Sequence, residues 1–203
     1  MTNNTLTNKA LLLVFAFGLI ASAVTGQNLK TKNIATDLDT PWEILWGPDD
    51  WIWCTERKGT VKKVNPDNGN VELIAEIKEV SEVSEGGLMG MVLHPNFDDT
   101  SQVFIAYNHY NGGNNYEVKV MRYDYQQDTL QNGTPIITDS DGNSIHDGCR
   151  LVISPDRKLF ITTGDAGKQN THPQDNKSVN GKVLRLNLDG SVPDDNPIQG
   201  SYI

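Results

Sequence analysis

From residue 41 onward the sequence alternates between short apolar runs and clusters of Gly, Pro, Asn and Asp. Within several runs, as at 116–125, apolar and polar residues alternate with a period of two, which is typical of half-buried β-strands. The clusters between runs are typical of turns, and 108–115 is predicted to be a polar loop. We therefore predict an all-β chain whose strands lie within residues 43–56, 59–65, 70–75, 88–94, 102–107, 116–125, 134–138, 150–153, 158–163 and 181–187.

Two places in the chain share one pattern. Pro-Asp turns at 48–49 and 155–156 each separate two apolar runs, and their prolines lie 107 positions apart. Each turn is followed by a Gly-x-Val-x-(Lys/Arg)-(Val/Leu)-Asn strand, at 59–65 and at 181–187. A propeller blade takes roughly 40–50 residues, so this distance corresponds to about two blades. The repeat predicts a β-propeller but specifies no function, because many propellers only bind.

One stretch, residues 143–167, places a histidine and an aspartate at the two ends of a β unit. His146 precedes the apolar run at 150–153, a Pro-Asp turn follows, and the next run, 158–163, leads to Asp165 between two glycines. A hairpin brings its ends together, so His146 and Asp165 are expected to be neighbours. An imidazole held by a carboxylate is the usual arrangement of a general base. The spacing leaves an alternative open, in which His146 is a loop histidine and Asp165 caps a turn.

The first 26 residues have the pattern of a secretory signal peptide. Lys9 provides the positive charge, and the 14 residues from 10 to 23 carry no charge. That run is too short to span a bilayer, and small residues suitable for cleavage lie at its end and just after it. We predict a signal peptide at 1–26, export to the periplasm or the cell exterior, and no membrane span in the mature protein.

The charge balance and the cysteines narrow the choice of partners and ligands. The chain has 17 basic and 26 acidic residues, a net charge of −9, and no basic stripe of the kind that binds a nucleic-acid backbone. No nucleic-acid partner is therefore expected. The two cysteines, Cys54 and Cys149, lack the CxxC spacing that would indicate zinc. Cys54 lies in an apolar run, which favours a buried thiol, but an exported protein can form disulfides and the pairing stays open.

Two further features have both a functional and a structural interpretation. The tryptophans cluster at 42–53, and Trp51 and Trp53 share one face of a strand. They could stack on a sugar, but packing between β units is the favoured interpretation. The segment 139–143 resembles part of a calcium-binding loop, yet it lacks the further acidic ligands of an EF-hand, and we predict a turn there.

Several motifs resemble those of the glucose/sorbosone dehydrogenase family, which includes the soluble PQQ glucose dehydrogenases and the aldose sugar dehydrogenases. They occur in the family's order and extend over about residues 38–197. The motifs are Gly87-Leu-Met-Gly-x-x-x-His-Pro95, His146-x-Gly-x-Arg150-Leu, Thr-x-Gly-Asp165 and the run from Gly181 to Pro197.

The resemblance implies a six-bladed propeller that oxidises the C1 hydroxyl of an aldose sugar to a lactone. PQQ would accept the hydride and pass the electrons to an external acceptor, and calcium would polarise the quinone. His146 would abstract the hydroxyl proton, and Asp165 would hold the imidazole. Glu85 and Ile145 would face the sugar, where the glucose dehydrogenases have Gln and Asp, so the identity of the sugar stays open.

The length of the chain sets an expectation about how much of that propeller it contains. Residues 27–203 would form an incomplete portion of roughly four blades, the N-terminal part of the family's fold. The family's calcium ligands and most PQQ contacts are expected beyond Ile203, so no metal ligand is assigned within this chain. We expect this polypeptide alone to be inactive and aggregation-prone, because an unclosed propeller exposes sheet edges, whereas a full-length protein could form a homodimer.

Two other function classes are compatible with a secreted propeller. One is a non-catalytic propeller that binds carbohydrate or protein, in which the motifs serve packing alone. The other is a metal-dependent hydrolase of the lactonase type, which would need inward acidic ligands from several blades. His146→Ala in a full-length version would distinguish the binding propeller from the dehydrogenase. Treatment with a chelator followed by PQQ add-back would distinguish the hydrolase.

Overall fold

The structure is a computed structural model that describes residues 29–113 and 115–203. The predicted signal peptide at 1–26 lies outside the described residues. The strands reported below all belong to one compact unit, Ile34–Ile203. In this described part of the chain, none of the helices has the length and apolar character needed to cross a membrane.

In the part of the chain that the structure describes, the strands form three antiparallel sheets. Their bounds in the first sheet are β1 Pro41–Trp46, β2 Ile52–Glu56, β3 Thr60–Val64 and β4 Val71–Glu76. The second sheet contains β5 Leu88–Leu93, β6 Gln102–Gly112, β7 Asn115–Gln126 and β8 Thr129–Gly142. The third contains β9 Gly148–Ile153, β10 Lys158–Thr163 and β11 Val183–Asn187. One short helix, α1 Phe97–Thr100, and a 3-10 turn, His172–Gln174, lie between strands.

Each sheet is a meander in which consecutive strands pair with one another, as in a propeller blade. The predicted all-β propeller is therefore confirmed. The turns at 48–49 and 155–156 join the first and second strands of the first and third sheets, so the repeat spans two blades, as its length predicted. Within residues 29–113 and 115–203 there are three sheets, fewer than the roughly four blades that we predicted from the length. The second sheet uses longer strands than an average blade, and a long connection, residues 164–182, joins β10 to β11.

Two strands, β6 and β8, are longer than predicted because their additional residues pair with β7. The segment 139–143 was predicted to be a turn, but β8 continues to Gly142, because Asp141 pairs with Glu117 and Gly142 with Tyr116 of β7. Residues 108–115 were predicted to be a polar loop, yet Asn108 pairs with Val118 and β6 continues to Gly112. The long β6–β7 pair carries Asn108 to the end of the sheet where the candidate site lies.

The interior is apolar and accounts for the tryptophan pattern. Trp53 is fully buried and packs edge-on against Phe97 and Tyr125, with ring centroids 5.7 and 4.9 Å apart. This confirms core packing for Trp53, with the partly buried Trp51 at the edge of the same cluster. Cys54 and Cys149 are both buried free thiols, and burial raises the pKa of each, to about 11 and about 12.

Candidate active site

His146 and Asp165 meet at one end of the third sheet. His146 lies in the turn between β8 and β9, and Asp165 lies just after β10. Strands β9 and β10 pair directly, with Gly148 opposite Thr163, so the start of β9 and the end of β10 are adjacent. The imidazole Nδ1 lies 3.1 Å from Oδ1 of Asp165. The predicted juxtaposition is therefore present, and it favours the tautomer in which Nδ1–H donates to the carboxylate and Nε2 keeps its lone pair.

The aspartate is held from two sides. Its Oδ1 also accepts a hydrogen bond from the Gly167 N–H at 2.8 Å. Desolvation tends to raise the pKa of Asp165, but the hydrogen bonds from Gly167 and His146 outweigh it, and the net pKa is lowered. An ionised Asp165 can orient the imidazole and stabilise its protonated form. The His146 side chain is 52% exposed, so Nε2 is accessible to a ligand.

Close backbone contacts fix the position of the histidine. The carbonyl oxygen of His146 accepts a hydrogen bond from the Ala166 N–H at 3.1 Å. Gly164 lies so near that a Cβ at this position would be 1.6 Å from the same carbonyl oxygen. His146 itself has a φ of +59°, in the left-handed region that is uncommon for residues other than glycine. The Gly-Asp pair after β10 is therefore needed for packing as well as for the carboxylate.

Glu85 reaches the same turn from the loop before β5. Its Oε2 accepts a hydrogen bond from the His146 N–H at 2.9 Å, and its own N–H donates to the Ser144 carbonyl at 3.1 Å. Ile145 is 38% exposed and lies beside Gly167. Both residues that the resemblance assigned to the sugar are therefore located next to the histidine, and their role in binding stays a prediction.

A buried polar network supports the turn, and the sequence analysis missed it. Asp147 is 3% exposed and Asn108 is fully buried, and they hydrogen-bond through Asn108 Nδ2 and Asp147 Oδ2 at 2.8 Å. Burial raises the pKa of Asp147 to about 6, although hydrogen bonds from Asn143 and Asn108 lower it. The available signal was an aspartate next to the candidate histidine, but its partner is 39 positions away in a segment predicted as a loop.

An open depression of about 470 Å³ lies beside the His146–Asp165 pair. This volume is within the range of small-molecule sites. Lys182 lines it, and its Nζ donates to the carbonyl oxygens of His172 and Asn180 at 2.6 and 3.0 Å. Within residues 29–113 and 115–203, no group of three or more His, Cys, Asp or Glu side chains is arranged to hold a metal ion.

Comparison with known proteins gives matches over most of the chain. The sequence profile described as Glucose / Sorbosone dehydrogenase matches residues 38–202. Quinoprotein glucose dehydrogenase B from Acinetobacter calcoaceticus is 33% identical, over 84% of this chain and 42% of that protein. The PQQ-bound aldose sugar dehydrogenase of Streptomyces coelicolor superimposes with a TM-score of 0.74 and 28% identity, over 85% of this chain and 52% of that one.

A second solved structure agrees with the first. The soluble aldose sugar dehydrogenase of Escherichia coli, in its apo form, has a TM-score of 0.75 and 25% identity, over 82% of this chain and 49% of that one. The chain therefore spans about half the length of the relatives that it matches. The profile match covers most of the chain, and the fold agrees with it, so this chain belongs to the glucose/sorbosone dehydrogenase family.

Proposed function

We propose that the protein containing this chain is a PQQ-dependent oxidoreductase that oxidises the C1 hydroxyl of an aldose to a lactone. The observation that carries the proposal is the 3.1 Å contact between His146 Nδ1 and Asp165 Oδ1, which leaves Nε2 free at the edge of an open depression. Family membership gives this pair its chemical context. The relatives are named as quinoprotein glucose and aldose sugar dehydrogenases.

The described residues supply the proton-transfer half of this reaction. Nε2 of His146 takes the proton of the C1 hydroxyl while the C1–H bond breaks and the C1–O bond gains double-bond character. Asp165 keeps Nδ1 protonated and stabilises the positive charge that forms on the imidazole. PQQ, when bound, supplies the carbon that accepts the hydride, and an external acceptor later removes the two electrons.

The depression fits a ligand beside His146, but it supplies only part of a cofactor site. PQQ carries several carboxylates, and Lys182 is the one cationic side chain among the residues that line this depression. The Lys182 ammonium would face one carboxylate, and we propose that the remaining cationic contacts and the calcium ligands lie outside the described residues.

Glu85 and Ile145 are the residues that we propose to contact the sugar. Glu85 uses Oε2 to hold the His146 backbone, which leaves its other carboxylate oxygen free to accept a hydrogen bond from a sugar hydroxyl. Ile145 presents an exposed apolar side chain beside the histidine and suits the apolar face of a pyranose. The signal-peptide pattern at 1–26 supports export of the protein to a compartment where free sugars are accessible.

The test uses the full-length gene product that contains this chain, purified without cofactor and then supplied with PQQ and calcium. We expect PQQ-dependent reduction of a dye acceptor with aldoses, formation of the lactone, and a loss of about 100-fold or more in His146→Ala. Folded wild-type protein that binds sugar without reducing the dye would overturn the proposal and indicate a binding propeller. Hydrolysis of a lactone without PQQ would overturn it in favour of a hydrolase.

A further inference from the structure

Asp147 joins three segments of chain beneath the candidate base. Its Oδ1 accepts a hydrogen bond from the Asn143 N–H at 2.7 Å, and its Oδ2 accepts one from Asn108 Nδ2 at 2.8 Å. Its backbone carbonyl accepts a third bond, from the Gly164 N–H, at 3.1 Å. These contacts connect the turn before β9, Asn108 within β6 and Gly164 just after β10. Asp147 is 3% exposed, and its hydrogen bonds hold the start and the end of this turn in place.

The residues around Asp147 leave room for its hydrogen bond with Asn108 and hold Asn108 in place. Asn108 Nδ2 gives its second hydrogen to the Asn143 carbonyl at 3.0 Å, so both hydrogens of this amide fix the same turn. Gly86 lies against the pair, where a Cβ would be 2.1 Å from Asn108 Nδ2 and 2.8 Å from Asp147 Oδ2. A side chain at 86 would separate Asn108 from Asp147. Glu85, the preceding residue, accepts a hydrogen bond from the His146 N–H, so one loop contacts both His146 and Asp147.

We propose that Asp147 is a positioning residue for His146, and that its ionised carboxylate, held by Asn108 and Asn143, sets the direction in which the imidazole presents Nε2. The His146 side chain is half exposed, and among the described residues its one hydrogen-bond partner is Asp165. The direction of the imidazole therefore also depends on the position of the His146 backbone, and Asp147 is the next residue in the chain. The effect of Asp147 on catalysis rests on the proposed function, whereas its effect on the imidazole does not.

The positioning depends on the proton content of Asp147. Burial is the main cause that raises the pKa of this carboxyl, and the nearby Glu85 adds to it. The hydrogen bonds from Asn143 and Asn108 and the nearby His146 lower it, and the net pKa is about 6. From β6 and the turn, Asp147 faces the neutral Asn108 and Asn143, and Cys149 on β9 is an uncharged buried thiol. Both carboxylate oxygens accept hydrogen bonds in the structure, so a proton on either oxygen competes with an N–H donor that already points at the carboxylate.

Catalysis is expected to need two groups without their protons. His146 must be neutral to accept a proton, and Asp147 must be ionised to hold the turn. Below the pH at which both have lost their protons, the slope of log kcat/KM against pH should therefore approach two in the wild type. In Asp147→Asn, the slope should be one, with kcat/KM at pH 8 lowered by about 100-fold or more, because the amide, like the protonated acid, cannot accept both hydrogen bonds.

The control and the second variant separate positioning from stability. Asp49→Asn breaks a comparable network, since Asp49 accepts hydrogen bonds from Trp53 Nε1 and Lys63 Nζ away from the site, and this variant should keep the slope of two. Asn108→Ala keeps the Asp147 carboxylate but removes one of its hydrogen-bond donors. The protonation of Asp147 should therefore move to higher pH. It also serves as the test variant if Asp147→Asn does not fold.

The decisive readout does not require activity. In the full-length gene product with histidine labelled at Cε1, we expect the His146 ring resonance to show two steps against pH in the wild type and in Asp49→Asn. Asp147→Asn should show one step, and in Asn108→Ala the Asp147 step should shift upward. A single step in the wild type, or no change in both site variants, overturns the positioning role. Two steps in a wild type that oxidises no aldose would keep the positioning role and reject the proposed function.

Discussion

The imidazole Nδ1 of His146 lies 3.1 Å from Oδ1 of Asp165, although the residues are 19 positions apart in the sequence. The paired strands β9 and β10 create this contact by bringing their ends together. The carboxylate is close enough to select one tautomer of the ring, and Nε2 remains accessible. The pair therefore has the geometry of a base and its orienting group, and its contribution to catalysis can be measured.

Replacing Asp165 with Asn should reduce kcat by about 100-fold or more, because the amide lacks the charge that stabilises protonated His146 and allows the wrong tautomer. KM should change little, and the melting temperature should stay near that of the wild type, since the Asn side-chain oxygen can still accept the hydrogen bond from the Gly167 N–H. Steady-state kinetics and thermal melting of the full-length gene product measure both effects. Asp189→Asn is the matched control, because Asp189 is an exposed turn aspartate that bonds to Ser191. An undiminished kcat in Asp165→Asn would contradict the assignment.

Glu85 should tolerate Gln better than Ala. The Gln carbonyl oxygen can accept the hydrogen bond from the His146 N–H that Glu85 Oε2 accepts at 2.9 Å, whereas Ala leaves this donor without its partner. We expect Glu85→Gln to keep kcat within about threefold and to change the relative KM values of different aldoses, and Glu85→Ala to lower kcat by about tenfold. A panel of aldoses compared at saturation separates the two effects. Equal kcat values for both variants would show that the hydrogen bond to His146 does not position the base.

Local sequence signals were enough to predict most of the strands and the His146–Asp165 pair. The run 158–163 was predicted to be a strand and is β10, Lys158–Thr163, because a Pro-Asp turn precedes it and a Gly-Asp pair ends it. The same hairpin logic placed His146 beside Asp165. These predictions succeeded where neighbours in sequence are also neighbours in space.

The rest of the site depends on contacts that no local pattern contains. Polar residues at 108–112 look like a loop, but β7 pairs with them and extends β6. Asn108 thereby reaches Asp147, 39 positions away, and forms the network under His146. Neither Asn108 nor Asp147 lies in a periodic pattern or a motif that would indicate this contact. Pairing of long strands, a tertiary effect, overrides local propensity at this position.

Gly164→Ala should destabilise the fold by roughly 3 kcal/mol, since the added Cβ would lie 1.6 Å from the His146 carbonyl oxygen and backbone atoms must move. Gly190→Ala is the control. Gly190 has a φ of +88°, but its nearest neighbour would be 3.5 Å away, so this variant should cost only about 1 to 2 kcal/mol of conformational strain. Urea denaturation gives both values. Similar costs for the two variants would mean that His146 and Gly164 are not packed as closely as described.

Cys54 and Cys149 should both resist alkylation in the native protein. They are buried free thiols, and burial raises the pKa of Cys54 to about 11 and that of Cys149 to about 12, so little thiolate forms at pH 8. Both should react fully with iodoacetamide once guanidinium unfolds the chain, without prior reduction. Peptide mapping of native and unfolded samples, with a reduced sample for comparison, identifies each site. A disulfide-linked peptide containing both cysteines would contradict the described thiols.

Asp147 should make the protein less stable as pH rises through 6. Its folded-state pKa of about 6 is above the ordinary value of 3.8, so the folded protein holds an additional proton between these values. The stabilisation from that proton is complete below the ordinary pKa and is lost as pH rises through the folded one. Relative to Asp147→Asn, the free energy of unfolding of the wild type should therefore fall by about 2 kcal/mol between pH 4 and pH 7.

Urea denaturation of both proteins at several pH values measures this difference directly. A difference that does not change with pH would mean that Asp147 is not buried as a carboxylate that loses its proton near pH 6. The expected trend has a functional meaning, because the ionised form that costs stability is the form that holds Asn108 and Asn143 against the His146 turn. A chain selected for stability alone would favour a neutral residue at 147. The carboxylate is therefore best explained by the position that it imposes on the histidine.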